Sequence, residues 1–345
     1  MVLLSCCIDS FEVRPLGNVK RTTFLLGSAG MLILILDGKT AVSGVQDGLE
    51  LCLQTLIPSL FPFFVLSALV TSSLTGISVV QLRWLSRLCR MPAGSESLLL
   101  VGILGGYPVG AGNIAAEYHS GHLSLTDAQR MSIFCNNAGP SFLFGILGPL
   151  FPHTGWIWGM WSIQIVSTVI TGILLPGGSE AAAAPQDRPV SVADALSRGV
   201  RNIALVCGWV VLFRLLLTFL DRWLLWLLPE SVRILITGIL ELSNGCLSLS
   251  VMECVEFRFI LAGIILSLGG ICVWMQTQAV FPELPLSNYI FGRILHSLIC
   301  ILLSLLSPLI LTEHRKLMLL LLAIMGLSMV LPVMFFRKRK KAVAF

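Results

Sequence analysis

Ser97–Ala116 is an uncharged stretch of 20 residues whose centre reads Gly-Gly-Tyr-Pro-Val-Gly-Ala-Gly. An uncharged apolar run of that length reads as a membrane span. Proline removes a backbone donor and glycine is a poor helix former, so a straight helix does not fit the stretch. Bare backbone at bilayer depth persists only where protein or a wet cavity covers it. Both constraints are met by a re-entrant hairpin, two half-helices meeting at a turn inside a helical membrane protein.

Composition agrees. Of 345 residues, 56% are hydrophobic and 12% charged, about half the charge of a soluble domain. The chain is therefore read as an all-α polytopic membrane protein whose main partner is the lipid bilayer. The basic run Arg337–Lys341 follows a long apolar segment and acts as a positive-inside anchor. No basic domain stands behind it, so no nucleic-acid partner is expected. Ten cysteines are scattered without a CxxC pair, and they read as small packing residues with no metal or disulfide framework. No HExxH motif, paired carboxylates in one span or Ser/His/Asp set appears, so an enzyme is not expected.

Spans are expected at Phe24–Leu36, Leu51–Val70, Met131–Phe151, Thr154–Pro176, Gly199–Leu220, Phe259–Val280, Ile294–Leu311 and Leu317–Phe336. Phe24–Leu36 is short and follows Arg14, Lys20 and Arg21. It reads as a retained span or a signal peptide, and positive-inside counting favours the span. Gln81–Met91, with Arg83, Arg87 and Arg90 beside Leu82, Trp84, Leu85 and Leu88, reads as an interfacial amphipathic helix. Tryptophans 156, 158, 161, 223 and 226 read as an interfacial belt.

The chain divides into an N-terminal segment with the first span (1–44), a first repeat (45–176), a polar Pro-rich linker (177–197), a second repeat (198–311) and a last span with a basic tail (312–345). Each repeat runs span, broken hairpin, discontinuous span, span. The hairpins fall at about 97–116 and 234–252, and the discontinuous spans at about 131–151 and 259–280. Three crossings per repeat invert the second relative to the first. Both termini then lie in the cytoplasm, and the Asp37–Glu50 and Phe151–Thr154 loops outside. His314-Arg315-Lys316 is the one basic turn on the outer side.

Inverted repeats with broken helices at matching positions point to a transporter's midplane site. Half-helix N-termini suit an anion, and unwound carbonyls suit a cation. The candidate substrate-binding residues are Tyr107, Pro108, Gly110, Asn136, Asn137 and Ser141 in the first repeat. In the second they are Ser243, Asn244, Gly269, Gly270 and Gln276. Glu241 is the candidate coupling-ion residue, for Na+ or H+, unless its hairpin tip lies at the aqueous boundary. No other cofactor is expected. Gly, Ser and Asn also serve as helix-packing glue in membranes, which is the plain alternative for each residue. Arg214 is expected to snorkel or pair with Asp221, and otherwise to oppose an anionic substrate. His119 and His122 beside Glu117 read as a solvated loop ahead of a metal site.

From Gly105 to Gly148, the sequence GGYPVGAGNIAAEYHSGHLSLTDAQRMSIFCNNAGPSFLFGILG resembles the sporulation integral membrane proteins of the YlbJ type, within the nucleoside-recognition or Gate-domain proteins. LIPSLFPFFVLS from Leu56 and LSLGGICVWMQ from Leu266 resemble further family segments, so the likeness runs from about residue 45 to 311. It implies two Gate-type repeats, similar in plan to concentrative nucleoside transporters. It further implies a permease in the cell membrane, specifically the outer forespore membrane, moving dipicolinate during sporulation. Val109 stands where the family has a small polar residue, and Gly112 where a basic one is common. Two rivals remain: a transporter of a nucleoside-like solute, and a non-transporting scaffold, homo-oligomeric or bound to other sporulation membrane proteins.

Overall fold

A computed structural model describes residues 18–74, 83–177 and 191–313. All secondary structure in them is helical. α1 (Asn18–Leu36) stops at Asp37, whose side chain caps α2 (Gly38–Leu51) by accepting from the Thr40 amide. A π turn, Cys52–Leu56, joins α2 to α3 (Ile57–Leu74). Gly38–Val70 is thus one helix of 33 residues, long and apolar enough to cross a membrane.

This corrects the expected outer loop at Asp37–Glu50. Asp37, Thr40 and Asp47 are accommodated here because they face a second long helix, α10 (Val192–Trp223). Arg214 on that helix pairs with Asp47 at 2.8 Å, and Arg222 with Asp37 at 3.3 Å. The Arg214–Asp47 pair also replaces the pairing expected with Asp221.

α4 (Arg83–Leu88) buries Leu85 and leaves Trp84 exposed, as an interfacial helix would. α5 (Glu96–Gly105) and α6 (Val109–His119) pack against each other across the break Gly106–Pro108. α7 (Leu125–Phe134) ends at Cys135, and the chain runs unwound to α8 (Pro140–Phe142), which continues through a second π turn at Leu143–Leu147. α9 (Gly155–Leu174) follows, then α10 (Val192–Trp223). α11 (Glu230–Leu240) and α12 (Leu242–Ser248) pack together across Glu241. α13 (Val255–Leu268) and α14 (Gly270–Val280) are separated by Gly269, in the left-handed region at φ +75°. α15 (Leu286–Glu313) closes the described chain.

Five helices among the described residues are long and apolar enough to span: Gly38–Val70, Gly155–Leu174, Val192–Trp223, Val255–Val280 and Leu286–Ser307. Of the other three expected spans, Phe24–Leu36 belongs to a shorter apolar helix and Met131–Phe151 is interrupted. Leu317–Phe336 and the basic tail lie outside the described residues.

All four expected interruptions, at GGYP, NNAGP, ELSNG and LSLGG, are breaks in the structure. Close approach explains the first pair. A Cβ at Gly110 would lie 2.2 Å from the Cys135 carbonyl oxygen. The α6 start therefore packs directly on the α7 break, backbone to backbone.

Candidate functional site

The breaks meet around a cleft. Its wall takes Tyr107 from the α5–α6 break, Gly139 and Ser141 from the α7–α8 break, and Glu241 and Ser243 from the α11–α12 break. Gln276 of α14 joins them, and Leu60, Phe64, Val206 and Val210 supply the apolar side. The fourth break abuts the same tyrosine, since a Cβ on Gly269 would lie 3.2 Å from the Tyr107 hydroxyl. The cavity is small, about 30 Å³.

Glu241 is 1% exposed. Protein, not solvent, therefore surrounds its carboxyl group. Its carboxylate accepts from the Ser243 amide at 3.0 Å, the Asn244 amide at 2.7 Å and the Asn244 side-chain amide at 2.7 Å. It is thus the N-cap of α12 and part of the cleft wall. None of the ion pairs among the described residues includes it.

Asn136 and Asn137 lie behind the cleft and are buried. Asn136 Oδ1 accepts from the Ala111 amide in the first turn of α6 at 3.3 Å. Its amide donates to Thr277 Oγ1 at 3.0 Å and Tyr289 Oη at 3.2 Å. The Asn137 amide donates to the Phe134 carbonyl at 2.7 Å and Thr168 Oγ1 at 2.8 Å, and its oxygen accepts from Arg293 at 2.9 Å. Both side chains are internal braces, each holding three partners. Pro108 is the N-cap of α6, and Gly269 and Gly270 both take positive φ at the α13–α14 break. Among the described residues, Ser141 Oγ has no protein hydrogen bond, and Gln276 makes one, a donation to Cys272 Sγ at 3.3 Å.

Two clusters escaped the sequence reading. Arg293 of α15, fully buried, donates to the carbonyls of Ile133 and Asn136 at 3.2 Å each, to Asn137 Oδ1, to the Ser267 carbonyl and to Tyr107 Oη. One turn on, buried His296 meets Gln164 Oε1 at 3.2 Å and Thr171 Oγ1 at 3.2 Å. An arginine and a histidine three apart in an apolar helix are the signal that could have found them. The expected span Ile294–Leu311 contains His296 but leaves out Arg293, whereas α15 begins at Leu286.

The other expectations resolve locally. His119 binds Glu283 at 3.0 Å and His122 binds Glu117 at 2.8 Å, so the two histidines serve different partners. The hydrogen bond from His119 holds the Glu283 carboxyl below its ordinary value. Trp158 and Trp161 pack on Phe144, while Trp223 and Trp226 are exposed. Arg130, in the motif that carries the family resemblance, donates to the carbonyls of Cys89, Arg90, Gly172 and Leu175.

A stretch of the chain is similar to "Sporulation integral membrane protein YlbJ" of Bacillus subtilis (strain 168), 28% identical over 138 residues, 37% of this chain. The match covers 33% of that protein's length. It supports a resemblance at the level of that family. No family model matches the chain, and no solved structure matches it.

Proposed function

We propose that the chain is a membrane permease built on two inverted broken-helix repeats, moving a small polar aromatic solute through the cleft between them. The observation that carries this is the meeting of breaks from both halves of the chain around Tyr107. Four interrupted helices in one apolar protein are costly unless the freed backbone is used. The element order supports it too: long helix, helix pair, broken helix, long helix, first over α2–α9 and then over α10–α15. The cleft is small, so on this reading a solute enters when the breaks part.

Similarity to a sporulation membrane protein makes dipicolinate the leading cargo, carried across an envelope membrane of a spore former. Glu241 then carries the coupling proton: a bare carboxylate on the wall repels a dianion, and protonation removes that repulsion. The position of Glu241 also favours a second reading. A carboxylate on the wall suits a solute that presents hydroxyl donors, such as a nucleoside.

Proteoliposomes loaded with purified protein, given labelled dipicolinate and labelled uridine side by side, separate the two. Ser141→Val with Gln276→Leu is the control, because both residues face the cleft with unused hydrogen-bonding capacity. Uptake of one solute, lost in the double variant, assigns the cargo. Equal flux in wild type and variant removes the cleft from the path. No flux of either from folded protein favours a scaffold.

A further inference from the structure

Arg293 is the largest fully buried side chain in the described protein, yet none of the ion pairs found there includes it. Every acceptor it uses is neutral. Two are carbonyls at the C-terminal side of α7, Ile133 and Asn136, and one is a carbonyl at the C-terminal side of α13, Ser267. The side-chain oxygen of Asn137 and the hydroxyl of Tyr107 complete the set. Helix C-termini carry partial negative charge, and here two of them, one from each half of the chain, converge on a single cation. Unwound carbonyls at half-helix C-termini are the usual donors for a coupling Na+ in broken-helix transporters.

We propose that the Arg293 guanidinium is a tethered cation filling the position where the carbonyl ends of α7 and α13 would otherwise hold a metal cation, so that the protein works without sodium. A guanidinium carries a fixed positive charge and directs its donors in a planar fork. Five oxygens already accept from it, so a second cation would compete for the same lone pairs. The meaning for transport rests on the permease reading above: with this position filled from within, coupling falls to a proton on Glu241. The occupancy itself needs no transport to be tested.

The test is thermal unfolding of detergent-purified protein in choline chloride, with NaCl, LiCl, KCl or guanidinium chloride replacing it at constant ionic strength and low millimolar concentration. Wild type is expected to unfold at the same temperature in all of them. Arg293→Ala is expected to unfold several degrees lower in choline chloride and to recover, saturably, with one or more of the small cations. A saturable sodium-specific rise in wild type overturns the proposal, as does an alanine variant indifferent to every cation. If the alanine variant does not accumulate, Arg293→Lys decides. A tethered ammonium should restore accumulation and indifference to sodium, and a lysine variant as deficient as alanine counts against the idea. Flux assays keep the two proposals apart. Sodium-dependent uptake by wild type removes the tethered cation and leaves the permease. The expected unfolding pattern without uptake of either solute does the reverse.

Discussion

At the scale of single residues, the paired asparagines show what local sequence hides. Their oddity was legible, because two amides in an apolar segment are costly unless satisfied. Their partners were not, since Thr277, Tyr289 and Thr168 come from elements distant along the chain. Asn136→Ala strips three hydrogen bonds and leaves the Ala111 amide without its acceptor. A loss of about 1–3 kcal/mol is expected, read as a lower unfolding temperature in detergent. An unchanged transition would mean that the bracing is dispensable. Loss of flux in this variant therefore has to be judged beside its stability, whereas Ser141 and Gln276 report on the cleft more directly.

At the scale of elements, the four breaks were legible because glycine and proline act on their own backbone. The helical state of Asp37–Glu50 was not, because hydropathy alone does not show that Asp37 and Asp47 have arginines waiting on α10. Glycine spacing makes a sharper forecast. Gly110→Ala puts a methyl group into the Cys135 carbonyl, whereas nothing lies within 4 Å of a Cβ at Gly112. Overpacking of this kind costs about 1–3 kcal/mol. Gly110→Ala should therefore lower yield and unfolding temperature, and Gly112→Ala should match wild type. Equal behaviour of the two variants would argue against the close packing of α6 on the α7 break.

At the scale of the whole molecule, charge counting gave an order of crossings, but it could not foresee Arg293, which joins the two halves through neutral oxygens. A second tie between the halves lies outside the spans, where His119 binds Glu283 and the Gln129 amide donates to the Glu283 carbonyl at 2.7 Å. Glu283 has a depressed pKa, first through the His119 hydrogen bond. Its contribution is therefore present above the ordinary value of 4.5 and lost as pH falls through the lowered one. Unfolding temperatures of wild type and Glu283→Gln should differ at pH 6 and converge as pH falls through the lowered value; a constant gap would show that the tie does not titrate. The π turn at Cys52–Leu56 acts at this scale too. Residues 40, 44, 48, 52, 56, 60 and 64 are all buried. The α2 members of this series, Gly44 and Gly48, meet α10, whereas Leu60 and Phe64 of α3 line the cleft. In a straight α-helix a stripe of period four drifts by about 40° per step. The wider turn takes up an extra residue and slows that drift. The π turn is a phase adjustment: remove one residue from it and the helix beyond rotates by about 100°, so the chain could keep its seam with α10 or its wall of the cleft, but not both.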